Sequence, residues 1–491
     1  MDYRRWPLAV MLAACGDNTG GPVPEIDAGC REVPWTSEDQ FSRSSELGDV
    51  VAYTLDDFDA SGRWFSTKIG LNNLRLSRQS DGNYEILDGR GLLESSSSEL
   101  FFTHFEEPGG PSPDARTFRI THRISNLRDD GTLRYERAFC EDEVCTVCTA
   151  GLIRAERHDP QASEKLSLVG SLDAAEWKDS TLDVKVVGTT AYVIRDGGLW
   201  TIDAADPTKP VIIDHHADAD DETRSNDVEI FEAAGRRYAI IADTPVEIVD
   251  VTNPADLQRA GRIPVEAHTV FTETRNGSTR AYFGSYDGTT PVYDITNPLV
   301  PTRLGVFDAQ SSYVHDLFVQ DGIGYLNAWE QGFFVVNFTA PAQPVQLGRW
   351  QSPRKRSHAT WVTTVGGRRI AVHGDETYGA HMTVLDVDPA SSQFMQPLAS
   401  YQTREHVSIH NFTGIGTKTY FTHYQDGVRV VDLADPTKPA LVGYYNTWDP
   451  ADLSAPDGFF AGAIGLDLDV ARKLVFVADL NRGLLILRDE T

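Results

Sequence analysis

The chain has 491 residues, 41% of them hydrophobic, which suits a large buried core and argues against global disorder. Asp and Glu number 72 against 44 Lys and Arg, a formal charge of -28. So acidic a surface repels nucleic acid phosphates and anionic headgroups, which excludes nucleic acid partners and favours cations or basic partners.

The first residues read MDYRRWPLAVMLAACGDNTGG. Two arginines precede a short apolar run, Pro7 to Ala14, too short to span a bilayer but arranged as in an export peptide. Leu12-Ala13-Ala14-Cys15-Gly16 resembles the bacterial lipoprotein box. That resemblance implies cleavage before Cys15, lipid on its sulfur, and an exported chain anchored to the bacterial cell envelope by lipid alone. A plain secretory peptide is the alternative. Residues 1–14 are then signal and 15–47 a Gly-, Pro-, Ser- and acid-rich tether.

Residues 48–162 show runs such as VVAYTL, ELFFTHFE and TFRITHRI between Gly, Asp and Pro turns. They read as a small all-β domain. Cys30, Cys140, Cys145 and Cys148 suit structural disulfides in an oxidising compartment, with three pairings open. Cys145-Thr-Val-Cys148 also has the spacing of a redox or zinc half-site, without the strand-to-helix context that redox chemistry needs. Asp56-Asp57-Phe58-Asp59 reads as a solvated turn, since no complete calcium loop follows.

From residue 163 the chain repeats itself. An apolar run ends in Asp or Asn with Pro four residues later at Asp203/Pro207, Asp250/Pro254, Asp294/Pro298, Asn337/Pro341 and Asp432/Pro436, and three later at Asp386/Pro389. Gly483 to Arg488 matches Gly427 to Asp432. A period of roughly 40 to 50 residues with four β-rich segments each gives four-stranded sheets that bury their faces only by stacking round an axis. The last unit supplies three strands, and Lys165 to Leu172, KLSLVGSL, supplies the fourth. The expected fold is all-β: a seven-bladed β-propeller over 163–491, closed by an N-terminal strand and preceded by the small domain. Gly151-Leu152-Ile153-Arg154, with Glu156 and Pro160 at matching offsets, leaves an eighth unit open. The recurring Asp or Asn reads as turn chemistry, bonding the backbone of each bend.

The third strands LWTID, VEIVD, FFVVN, MTVLD and VRVVD resemble the LVIVD repeat family, as do TYFTHYQDGVRVVDLADPTKPALVGYYNT and the final VFVADLNRGLLIL. The resemblance covers about 165–491. It implies a β-propeller in an exported or surface protein and no settled reaction. Arg488 departs from its Asp column.

Aligned first strands carry one histidine column: His268, His315, His358 and His410 in four consecutive units. Asn226-Asp227 stands there in the second unit, Thr181 in the first and Gly462 to Ile464 in the last. Inner-strand positions face a common channel, so the four imidazoles are candidate ligands for a divalent metal or an anionic group, with Asp227 and Asp316 to orient them. Two or three of them with water suit one ion better than all four. Bracing of neighbouring blades is the alternative. His373, His423, Trp329, Glu330, Tyr286-Asp287 and Arg195-Asp196 form a candidate second ring. His215-His216, before the acidic Asp218 to Glu222, reads as an exposed connector, and His406 lies four residues before His410.

No Gly-x-Ser-x-Gly, His-Glu-x-x-His or phosphate-binding glycine loop is present. Asp375-Glu376 beside His373 is a weak hydrolase signal in so acidic a chain. Three functions stand: an envelope-anchored scaffold binding protein or carbohydrate, a metal-dependent hydrolase or oxidoreductase using the histidine column, and a purely structural envelope protein.

Overall fold

The computed structural model describes residues 29–48, 58–67, 74–86, 91–95, 99–106, 117–125, 127, 131–159, 161–173, 177, 180–195, 197–217, 225–377, 379–404, 407–452 and 460–491. Cys15 with the signal-like segment, Asp56, Asp57, Asp196, Asp218 to Glu222 and His406 lie outside them. The chain divides into two compact units, residues 1–157 with 450–459, and residues 158–449 with 460–491.

The first unit is a nine-stranded antiparallel sheet. Val144–Arg154 pairs on one side with Leu133–Glu141 and on the other with Cys30–Pro34 and Gly62–Ser66. The sheet therefore closes on itself as a barrel, which removes the exposed edges that an open sheet would carry. Trp64, Leu76, Tyr84, Leu100, Ile124, Tyr135 and Leu152 fill it. Full burial of each large apolar side chain stabilises by about 1.5–3 kcal/mol. Cys30 bonds Cys148 and Cys140 bonds Cys145. Cys145 and Cys148 thus belong to different disulfides, and the Cys-x-x-Cys spacing is no redox pair. Gly151–Arg154 end a barrel strand rather than start an eighth blade. Asp59 accepts the Ser61 N–H at 2.9 Å, as a turn residue does.

The second unit is a propeller of seven blades. Blades 1 to 5 are consecutive four-stranded meanders whose inner strands are Thr181–Val187, Asp227–Ala233, Ala267–Arg275, Asp316–Gln320 and Ser357–Val365. Blade 6 starts at Phe412–Ile415 and gains a short fifth strand from Ser163–Glu164. Blade 7 has inner strand Ala463–Asp469 and takes Leu166–Leu172 as its outer strand, paired antiparallel with Gly483–Asp489. The expected closure holds: residues from just before blade 1 complete blade 7, so opening the ring breaks a ladder of backbone hydrogen bonds.

The repeat has a packing reason. Each blade's third strand ends on an Asp or Asn whose Oδ1 accepts the N–H two residues on: Asp203 to Ala205, Asp250 to Thr252, Asp294 to Thr296, Asn337 to Thr339, Asp386 to Asp388 and Asp432 to Ala434, at 2.8 to 3.0 Å. In blade 7 the register places Arg488 opposite Leu474, as Asp432 stands opposite Lys418, but Asp489 makes the turn by accepting from Thr491 at 2.9 Å. The Pro of this bend then meets the preceding blade. A Cβ on the outer-strand glycines Gly170 or Gly305 would overlap the carbonyl oxygen of Pro207 or Pro341, and one on Gly261 would lie 3.1 Å from that of Pro298. Glycine is required there because the next blade's backbone fills the space of a side chain.

Candidate metal centre

The inner strands begin with a local irregularity that sets the site. In blades 1, 3, 5 and 7 the register skips one residue at the same place, leaving Leu182, His268, His358 and Ile464 as bulged positions. A bulge re-aims the side chain it carries. In blades 2, 4 and 6 the matching residues are Asn226, His315 and His410, whose N–H groups bond Ala242, Asn327 and Thr422 carbonyls. The blade 1 member of the column is therefore Leu182, not Thr181, because the bulge shifts the alignment by one residue.

The four histidines form a continuous arc. Ring centroids lie 4.2 Å apart for His268–His315, 3.8 Å for His315–His358 and 4.4 Å for His358–His410. His268 and His315 meet through their Nε2 atoms at 3.0 Å, and His268 Nδ1 lies 3.0 Å from the Tyr286 hydroxyl. His358 Nδ1 donates to the His410 carbonyl oxygen at 3.2 Å, and His410 Nδ1 to that of Ile464 at 2.8 Å. A carbonyl only accepts, so both rings carry their proton on Nδ1 and present Nε2 as a lone pair.

Two ring nitrogens in this arc are buried without a hydrogen-bond partner: Nδ1 of His315 and Nε2 of His358. Such an atom costs about 1–3 kcal/mol if nothing meets it. Next to them stands Glu376, just past the second strand of blade 5. Its Oε2 is 3.7 Å from His358 Nε2, and donor atoms of His315, His358 and Glu376 all lie within 4.8 Å of one another. The Tyr424 hydroxyl donates to Glu376 Oε1 and orients the carboxylate. Tetrahedral donors about 2.0–2.1 Å from one ion stand roughly 3.4 Å apart, so a modest contraction of this set would close on a metal. Two imidazoles and a carboxylate suit zinc or another first-row divalent ion and leave a coordination position open.

Burial governs the electrostatics. It holds His315 and His358 well below the ordinary imidazole value, with the neighbouring histidines adding to the effect. Burial lowers His268 to about 4, and lowers His410 to about 3 despite the bond to Ile464. The ring is neutral at pH 7, the form that binds metal. Burial raises Glu376 to about 7, against the opposing effects of Tyr424 and Arg356.

The other predicted residues are placed as follows. Asp227 and Asp316 do not touch the imidazoles among the described contacts. Asp227 Oδ2 accepts the Val270 N–H of the next blade at 2.8 Å, and Asp316 accepts the Leu317 N–H at 2.7 Å. Burial, with Asp227 nearby, raises Asp316 to about 8. Asp227 also borders a half-buried charge cluster in which Lys185 pairs with Glu229 at 3.2 Å near Asp183 and Asp467. Trp329 stacks on His315 with centroids 5.3 Å apart, and Glu330 is held by Ser311 and Ser312. His373 bonds Ser357 Oγ at 2.8 Å inside its own blade, and His423 bonds Thr403 Oγ1 at 3.1 Å in the connector from blade 5 to blade 6. Arg195 stacks over Trp177, and Tyr286 reaches the arc through His268. His215 and His216 are no exposed connector. They end the outer strand of blade 1, where His215 stacks on Trp200 and His216 pairs with Glu247 at 2.9 Å. Glu376 and Tyr424 carry no repeating signal. Glu376 stands in the sequence only as part of the weak Asp375-Glu376 signal beside His373, and Tyr424 only as the residue after His423, just past the second strand of blade 6.

Residues 180–217 and 420–447 match the LVIVD repeat. Among curated protein sequences none matches the chain. Among solved structures, the chain is similar to the computationally designed Ika8 protein at 13% identity, with a TM-score of 0.44 and 65% of this chain and 99% of that one covered. It is similar to BamB from Moraxella catarrhalis at 10% identity, with a TM-score of 0.41 and coverage of 66% and 97%. It is similar to the RRP9 WD40 repeats at 9% identity, with a TM-score of 0.47 and coverage of 66% and 97%. The chain thus contains LVIVD repeats and folds them into a seven-bladed β-propeller.

Proposed function

We propose that this protein is an exported propeller that binds a divalent transition metal through His315, His358 and Glu376 and acts on a ligand at the open coordination position. One observation carries the reading: two rings that each bear a buried nitrogen without a partner bring donor atoms within 4.8 Å of a carboxylate that a tyrosine orients. A bound ion would satisfy the nitrogens, polarise a ligand oxygen or lower the pKa of a bound water. Both disulfides fit an oxidising compartment, and lipid attachment at Cys15 fits the same location.

Structural bracing is the second reading. The bonds from His358 to the His410 carbonyl and from His410 to the Ile464 carbonyl tie blades 5, 6 and 7 together without metal. Elemental analysis separates the two. The full chain, produced in an oxidising compartment, is compared with its His315→Ala, His358→Ala double variant. Near-stoichiometric zinc, iron or copper that the variant lacks supports the metal centre. A folded, metal-replete preparation without bound metal leaves only bracing.

A further inference from the structure

The stretch Arg354-Lys355-Arg356 is a run of three cations in a chain of -28 charge, and it leads directly to His358. Several other propeller arginines pair with carboxylates: Arg236 with Asp250, Arg368 with Asp386, Arg404 with Asp426 and Arg472 with Asp469. Among the described residues no carboxylate pairs with Arg356. Its guanidinium lies over Trp329 instead, 5.3 Å from the ring centroid. Trp329 in turn stacks on His315. A guanidinium that meets an indole face, and no carboxylate, still has N–H donors to offer a planar oxyanion.

The main chain fixes this cation beside the candidate ligands. The Arg356 N–H donates to Asp375 Oδ1 at 3.2 Å, and its carbonyl accepts the Glu376 N–H at 2.9 Å. Ser352 Oγ holds Asp375 at 2.5 Å, and the Ser357 N–H bonds the Trp329 carbonyl at 3.1 Å. Arg356 and Glu376 are therefore joined through backbone hydrogen bonds. The Arg356 charge acts on both the Glu376 carboxyl and the Tyr313 phenol. Tyr313 packs against Trp329 at 4.9 Å and faces Tyr286 at 6.5 Å, so an aromatic wall adjoins the cation.

We propose that Arg356 anchors an oxyanion, a carboxylate or a phosphate group, on a small organic substrate whose reacting end meets the metal at His315, His358 and Glu376. The inference rests on the metal reading for that second contact. It explains an unpaired, stacked arginine in an acidic chain, and it sets the substrate class as anionic.

The test uses the cobalt-loaded full chain and its Arg356→Gln and Arg356→Lys variants, with Arg354→Gln as a neighbouring control. Metal content is measured first. Inorganic phosphate and acetate are then titrated, followed by the visible cobalt spectrum and by calorimetry. At least one anion is expected to bind the parent, with affinity about tenfold or more weaker in Arg356→Gln, intermediate in Arg356→Lys, and little changed in Arg354→Gln. The tighter of the two anions identifies the group. The backbone bonds of residue 356 do not use its side chain, so the variants retain the loop. Equal anion affinity in the parent and Arg356→Gln, at full cobalt content, overturns the anchor and leaves the metal reading standing. Anion binding that depends on Arg356 in a chain that holds no cobalt supports the anchor and removes the metal contact. No binding of either anion to the cobalt-loaded parent overturns the anchor as well.

Discussion

His358 faces Glu376 across 3.7 Å with its Nε2 because its Nδ1 is committed to the carbonyl oxygen of His410. One blade thus sets the tautomer of a ring in the blade before it. The same bond that braces the propeller prepares a ligand, so bracing and metal binding share a geometry and differ in what meets Nε2.

The Tyr424 hydroxyl, buried and bonded to Glu376, orients that carboxylate. Tyr424→Phe keeps the ring and removes only the donor. We expect zinc affinity to fall about tenfold with the fold retained, because partners that orient ligands typically contribute 10- to 100-fold. Competition against a chromophoric chelator measures this. Unchanged affinity would show that Glu376 is not a ligand.

His423 carries a pH prediction away from the arc. Burial, only partly opposed by Asp426, holds its pKa at about 4 against an ordinary 6.5. The folded state keeps it neutral while the unfolded chain takes up a proton below about pH 6.5. Its contribution is complete above that pH and declines towards pH 4 at about 1.4 kcal/mol per unit. Burial raises the neighbouring Asp426, but Arg404, His423 and Arg429 outweigh it, so its pKa is depressed and its contribution too is lost in acid. His423→Gln is expected to flatten the loss of stability between pH 6.5 and 4 by that slope. Urea unfolding at pH 7, 6 and 5 checks it, and parallel curves for both proteins would count against the assignment.

Gly305 sits where the Pro341 carbonyl of the next blade leaves no space for a Cβ. Gly305→Ala forces backbone apart and should cost about 1–3 kcal/mol. Substituting Leu304 by Ile is the control for a neighbouring side chain. Thermal unfolding reads both, and a Gly305→Ala protein as stable as the parent would mean the blades are not in contact there.

The two disulfides should differ in worth. Cys30–Cys148 spans 118 residues and Cys140–Cys145 only 5. Loop-closure entropy then predicts a loss of about 4–5 kcal/mol for the Cys30→Ser, Cys148→Ser variant and a smaller one for Cys140→Ser, Cys145→Ser. Denaturant unfolding of the barrel, followed by the fluorescence of a tryptophan such as Trp64, compares them. Equal losses would show that chain entropy is not the source.

The sequence by itself determined the propeller. A four-strand unit recurs with Asp or Asn, Pro and Gly at fixed places, because every blade meets the same neighbour in the same way. The lone strand at 165–172 and the three-strand end at 465–488 were legible for the same reason. So was the alignment of His268, His315, His358 and His410, since a repeat makes equivalent positions comparable. The tertiary structure decided what has no period. Glu376, Tyr424 and the Arg356–Trp329 stack each occur once, on loops whose meeting depends on how blades 4, 5 and 6 turn about the axis. The bulge that moves the blade 1 position to Leu182 and the shift of the closing turn to Asp489 are backbone irregularities with no residue signature. The disulfide pairing and the closing of the first unit into a barrel rest on contacts between distant residues, which local pattern does not encode.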